Sequence, residues 1–136
     1  MSTFPPFAAA LHVFVGGGFG AVLRWQLGRA MTQWLGVPMI TAFPFATLAA
    51  NAAGSLAMGL LAGWLTRHGA GEGEQLRLLL GVGLLGGFTT FSAFSLDMVL
   101  LLQRGQYLFA LLYVVLSIAL GITGLVAGLS VMRMAA

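Results

Sequence analysis

Residues 86–95 read Gly86-Gly87-Phe88-Thr89-Thr90-Phe91-Ser92-Ala93-Phe94-Ser95, in the middle of an apolar segment that runs from about Leu78 to Leu102. The Leu-rich flanks are membrane sequence. The interior is not: it holds two adjacent glycines, four hydroxyl residues and three phenylalanines. Hydrocarbon solvates no backbone N–H or C=O, so irregular backbone survives at that depth only when it is buried in protein or lines a wet cavity. Gly-Gly followed by Thr-Thr is a good place to break a helix. Broken membrane helices form ion and substrate sites from freed carbonyls and half-helix ends. The stretch therefore predicts a functional break in a membrane helix.

Working outward, the composition allows little besides membrane. The chain has 136 residues, 60% of them hydrophobic and 7% charged, with a mean hydropathy of +1.00. Soluble domains carry about 25% charged residues. The length accommodates four spans of ~20–25 residues and no soluble domain besides. The predicted fold is an all-α integral membrane protein of one domain: four transmembrane helices over about 7–29, 43–65, 76–102 and 107–132, the third broken near its middle. The N-terminal run lacks a basic start, with Arg24 and Arg29 following it instead, so it reads as a retained first span and not a signal peptide. There is no cysteine, which excludes disulfides, thiolate metal sites and cysteine nucleophiles.

Small and polar residues recur at helical spacing along all four spans. Gly16 and Gly20 in the first span, Gly59 and Gly63 in the second, and Gly124 and Gly128 in the fourth are small-xxx-small pairs that let helices approach closely. A loop is expected over Met31–Ala42, where Pro38 and Pro44 restrict helix formation, and an exposed polar turn over Arg67–Glu74. Thr47, Asn51 and Ser55 share one face of the second span; Tyr113, Ser117 and Gly121 share one face of the fourth. Asn51, Thr89, Thr90, Ser92 and Ser117 fall near the middle of their spans. Polar groups at that depth need partners, so five of them drawn from three spans predict a shared wet or ion-binding site.

Charge restricts the chemistry further. The acids are Glu72, Glu74 and Asp97, and the histidines are His12 and His68. No nucleophile–base–orienter set and no metal-ligand spacing appears, so an enzyme is not expected. The scattered arginines give no support for nucleic-acid binding. A proton-coupled exporter of this size would want a carboxylate at the midplane. Asp97 lies ten residues beyond Gly87, roughly 15 Å along a helix and near the interface, where it reads as a partner for an arginine such as Arg24 or as a snorkelled cap. The midplane groups are mostly neutral donors. Hydroxyls, the Asn51 amide, freed N–H groups and the partly positive ring edges of Phe91 and Phe94 suit a small anion. Freed carbonyls at the same break suit a hard cation such as Na⁺. The six arginines divide three and three between the two membrane sides: Arg24, Arg29 and Arg104 against Arg67, Arg77 and Arg133. Orientation is set by Lys/Arg bias in short loops. Its absence predicts insertion both ways, with two opposite copies able to pair as an antiparallel homodimer.

These residues resemble the Fluc (CrcB) family of fluoride channels. The resemblance covers most of the chain and is carried by residues 86–95, the Gly-rich run ending in Leu23-Arg24-Trp25, the Asn51 segment, and Tyr113 with Ser117. It implies a fluoride-specific channel for passive export, built as an antiparallel dual-topology homodimer in the cell (inner) membrane. It implies a structural, untransported Na⁺ held by backbone carbonyls of Gly86 and Thr89 from both copies. It implies an anion pore lined by Asn51, Phe91, Phe94, Ser92, Ser95, Tyr113 and Ser117, with Arg24 and Asp97 in structural or vestibule roles. Asp97 stands where many members carry Glu, and Ala93 where many carry Ser or Thr. The rival readings are a small dual-topology proton-coupled multidrug-type exporter and a membrane assembly subunit that transports nothing.

Overall fold

The computed structural model describes residues 5–68 and 72–135. The middle of the polar turn expected between Arg67 and Glu74, residues 69–71, lies outside the described residues. The described residues are helical with short connections and contain no strand. The elements are α1 (Pro6–Leu35), α2 (Val37–Ala42), α3 (Phe45–His68), α4 (Glu72–Leu76), a π-helical stretch (Arg77–Leu85), α5 (Gly86–Phe88), α6 (Phe91–Gln103) and α7 (Tyr107–Met134). Four segments are long and apolar enough to cross a membrane: Pro6–Leu35, Phe45–His68, Gly73–Gln103 and Tyr107–Met134.

The expected loop over Met31–Ala42 is mostly helix. Residues 31–35 complete the last turn of α1, with the Thr32 hydroxyl donating to the Gly28 carbonyl at 2.8 Å. The reversal is concentrated in Gly36, whose φ of 84° an L side chain rarely adopts. Pro38 does not obstruct the helix that follows, because it occupies the first turn of α2, where no donor is needed. Arg24 consequently stands about three turns inside the end of α1.

The spans pack as two glycine-seamed pairs. In the first, α1 lies against the upstream half of the third span. A Cβ on Gly83 would sit 2.9 Å from Gly16 Cα, one on Gly20 would run into the Leu84 carbonyl, and one on Gly87 into the Gly17 carbonyl. In the second, α3 lies against α7: a Cβ on Gly59 would meet the Leu125 carbonyl, and one on Gly128 would fall 2.6 Å from Leu60 N. Membrane helices lack a hydrophobic force between them, so backbone contact of this closeness supplies their association through van der Waals packing. The downstream half of the third span, α6, packs on α7 around Tyr113. That ring is fully buried among Phe43, Leu101 and Ala110.

Candidate ion site at the helix break

The break falls on Thr89 and Thr90, not on the glycines before them. Gly86 and Gly87 remain helical, while Thr89 (φ −82°, ψ 156°) and Thr90 (φ −154°, ψ 121°) are extended. Each threonine finishes one half-helix. Thr89 turns both its N–H and its hydroxyl back to the Leu85 carbonyl, at 2.9 and 2.8 Å, closing the upstream helix. The Thr90 hydroxyl accepts the Ala93 N–H at 3.1 Å and opens α6, the usual office of an N-cap threonine. The glycines serve packing: Gly87 lets the third span touch the backbone of Gly17, and Gly54 leaves room for the Thr89 methyl.

Between the two threonines one peptide would be left bare at membrane depth, and Asn51 holds it. The Asn51 Oδ1 accepts the Thr90 N–H at 2.7 Å, and the Asn51 Nδ2 donates to the Thr90 carbonyl at 3.0 Å. In a continuous helix the Thr90 N–H would go to the Gly86 carbonyl. Its diversion frees that carbonyl. The Thr89 carbonyl also points away from its helix and accepts from Arg24 Nη1 at 3.3 Å. Arg24 therefore serves the break, and the pairing of Arg24 with Asp97 expected from the sequence does not occur. Asp97 accepts instead from the Tyr113 hydroxyl, at 3.0 Å. Tyr113 reaches Asp97 because α6 and α7 are neighbours, a relation that spacing within one helix does not reveal.

A cavity of about 390 Å³ opens on the break, walled by Asn51, Ser55, Thr90, Phe91, Phe94 and Ser117 among others. The Ser117 hydroxyl is buried and has no hydrogen-bond partner among the described residues. One Asn51 Nδ2 hydrogen remains after the Thr90 carbonyl is served. The first turn of α6 leaves N–H groups unmatched within the helix and carries the positive end of its dipole. The cavity thus gathers neutral donors with no acid on its wall. On its rim, Phe91 and Phe94 lie with ring centroids 5.7 Å apart, and Phe94 lies 5.2 Å from Tyr113. Phe91 is 80% exposed, so its ring borders the cavity on one side and is left open by the described residues on the other.

Ser92 and Ser95 stand apart from this cavity. The Ser92 hydroxyl is 3.2 Å from that of Thr90, and the Ser95 hydroxyl donates back to the Phe91 carbonyl at 2.9 Å. Both lie on α6 beside the open face of Phe91. Farther along, Asp97 and Arg104 line a smaller cavity of about 200 Å³ with Thr41, whose carbonyl accepts from Arg104 at 2.7 Å. Gly54, Ser55 and Met58, none of them named as a site residue from the sequence, also come to the cavity wall. For Ser55 the signal was present, since it shares a face with Asn51; for Gly54 and Met58 it was not.

Comparison with known proteins shows the family. A family model described as CrcB-like protein, Camphor Resistance (CrcB), matches residues 11–129. Among similar sequences, a protein of Erythrobacter litoralis named fluoride-specific ion channel FluC is 58% identical over 134 residues, covering 98% of each chain. Proteins of the same name from Novosphingobium aromaticivorans and Rhodopseudomonas palustris are 56% identical over 125 residues and 50% identical over 123. They span 92% and 90% of this chain, and 96% and 95% of their own lengths.

Proposed function

This chain belongs to the CrcB-like family, and from that premise we propose that it forms a passive channel for fluoride in the bacterial inner membrane. The observation that carries the reading is the cavity at the break, where the unpartnered Ser117 hydroxyl, the spare Asn51 hydrogen and the start of α6 converge without a carboxylate. A small anion leaving water needs replacement donors, and these groups supply them in a space of molecular size. None is charged, which lets an anion bind without being trapped. Hydrogen fluoride crosses bilayers uncharged and dissociates in a near-neutral cytoplasm. A negative-inside potential then drives the anion out at ~2.3 kcal/mol per charge per 100 mV, with no coupling machinery.

The working unit in this reading is an antiparallel homodimer. Its support is the even division of arginines and the exposed face of Phe91 with Ser92 and Ser95 beside it: half of a pathway wall, awaiting a second half. In this arrangement Phe91, Phe94, Ser92, Ser95, Tyr113, Asn51 and Ser117 border the ion path. Arg24 braces the break, and Asp97 stands at the vestibule.

A structural Na⁺ fits the same break. The Gly86 carbonyl has lost its Thr90 donor, and the Thr89 carbonyl receives one long contact from Arg24, which leaves a lone pair available. Both are hard neutral oxygens of the kind Na⁺ prefers, and two copies would supply four. Na⁺ bound there would tie the two breaks together electrostatically. Arg24, at 3.3 Å from one of these oxygens, would limit the site to a monovalent ion.

Purified protein in liposomes loaded with fluoride and made permeable to potassium tests the reading. Fluoride release measured by a selective electrode is expected, with chloride retained under the same conditions. Retention of fluoride would overturn it. A pH gradient is expected to leave the rate unchanged, whereas the proton-coupled exporter requires that it change.

A further inference from the structure

Two polar ladders face each other across the second and fourth spans. Thr47, Asn51 and Ser55 stand four residues apart on α3; Tyr113, Ser117 and Gly121 stand four apart on α7. They meet in order. Thr47 lies beside the Tyr113 side chain. Asn51 and Ser117 wall the same cavity. Gly121 comes against Ser55, such that a Cβ built on Gly121 would sit 3.6 Å from Ser55 Oγ. The rungs differ in what they leave open. At the first, the Tyr113 hydroxyl is committed to Asp97. The second holds a buried hydroxyl with no partner. The third sets a hydroxyl opposite a residue with no side chain at all.

Two hydroxyls on this face, those of Ser55 and Ser117, are not satisfied by their own helices. Thr32, Thr41, Thr66 and Ser95 each donate to a carbonyl three or four residues back in their own helix. That local bond is the ordinary way to satisfy a helical hydroxyl in an apolar surrounding. The Ser55 hydroxyl makes no hydrogen bond among the described residues, although Ser55 is half-buried on the cavity wall. Its donor is left for something the cavity admits.

We propose that Ser55 is a further anion-holding residue, and that the Ser55–Gly121 rung carries the ion path one helical turn beyond the Asn51–Ser117 rung. The proposal deepens the channel reading above and rests on it. The ligand is fluoride itself, or fluoride with the water that replaces part of its shell. One turn of helix, ~5.4 Å, separates successive donors, so an anion exchanges one hydroxyl for the next without losing both. Gly121 supplies the space, since a side chain there would occupy the side of the path facing Ser55. No charged residue stands on either rung to hold the ion too tightly to leave.

The experiment compares fluoride efflux from liposomes for the wild type, Ser55→Ala, Ser55→Thr, and the double variant Ser55→Ala with Gly121→Ser. Elution volume and melting temperature are measured on each purified protein. Losing one hydrogen bond to an anion is expected to slow Ser55→Ala by about tenfold. Ser55→Thr, which keeps the hydroxyl, is expected to conduct faster than Ser55→Ala. The double variant moves the hydroxyl across the same rung and is expected to recover at least part of the lost rate, which a packing role for Ser55 would not produce. Wild-type flux in Ser55→Ala overturns the inference, as does an equal loss in Ser55→Ala and Ser55→Thr. If the double variant assembles and still conducts no faster than Ser55→Ala, the inference fails too. Absence of fluoride release from the wild type overturns the channel reading instead, which separates the two failures.

Discussion

Replacing Asn51 with alanine removes both hydrogen bonds that hold the Thr90 peptide, one of 2.7 Å to its N–H and one of 3.0 Å to its carbonyl. Left bare, each backbone group carries a desolvation cost of ~1–3 kcal/mol, so the pair is worth about 2–6 kcal/mol. Two effects pull the figure down. Side-chain hydrogen bonds inside membranes measure about 0.6 kcal/mol on average, because alternatives are found. Here the alternative is visible: the Thr90 N–H can return to the Gly86 carbonyl and close the helix through the break. A cost of about 2–3 kcal/mol is therefore expected, with the break partly healed. Hydrogen exchange at the Thr90 amide in detergent reads the loss directly. At 1.4 kcal/mol per factor of ten, exchange should quicken at least tenfold if the break stays open. If the helix closes, the Thr90 amide stays protected and the freed Gly86 carbonyl is consumed. In both cases fluoride flux falls, because the cavity loses its Asn51 donor or its shape. A variant with native Thr90 protection, native stability and native flux would refute the role assigned to Asn51.

Other consequences are simpler to state. Gly20→Ala places a methyl against the Leu84 carbonyl; overpacking of this sort costs ~1–3 kcal/mol, and the melting temperature in detergent should fall correspondingly, whereas Gly18→Ala, whose Cβ meets nothing within 4 Å, should not lower it by a comparable amount. Phe91→Ile or Phe94→Ile should reduce fluoride efflux while the protein still elutes as the native assembly; efflux surviving both changes would make the rings packing residues only. Tyr113→Phe leaves the Asp97 carboxylate without its 3.0 Å donor, at ~1.5–3 kcal/mol for a bond to a charged group, and Asp97→Asn should be tolerated better, as thermal melts of the two variants would show. Two lysines added between Arg67 and Glu74 should fix one orientation and abolish efflux when that variant is expressed alone, with recovery on co-expression of an oppositely biased copy; full activity alone would argue against antiparallel pairing.

The fold was legible where periodicity or pairing carried it. Four apolar runs became four spans, and Gly16, Gly20, Gly59 and Gly128 of the glycine pairs reappear in close backbone seams, while Gly63 meets the Met132 side chain. The break was legible to within three residues. The offset has a physical cause: Gly86 and Gly87 looked like helix breakers, but glycine costs little in a helix that needs to touch another backbone. Threonine, with a hydroxyl able to end one helix and start the next, supplied the break. The π-helical stretch over Arg77–Leu85 left no mark in the sequence pattern, because its Leu and Gly content suits either helix width. The pairing of Arg24 with the Thr89 carbonyl, and of Asp97 with Tyr113, was illegible for another reason. Each joins residues of different helices, and spacing along one helix says which residues share a face but not which face it meets.

Asn51 shows why the site and the fold cannot be separated here. From the sequence it was a polar residue in need of a partner, and an ion was one candidate. The partner turns out to be the chain itself. Both ends of its amide are committed to one peptide, and that commitment is what keeps two half-helices from fusing. The carbonyl it frees at Gly86, the N–H groups it leaves open at the start of α6, and its own remaining hydrogen are therefore products of a single contact between the second and third spans. A residue that only bound the ion could be exchanged for another donor of similar reach. One that also makes the break cannot. Asn51→Ser would retain a donor and lose the two-point hold, so it should conduct no better than Asn51→Ala. If Asn51→Ser instead restores efflux, donation to the ion is sufficient and the break stands without the amide.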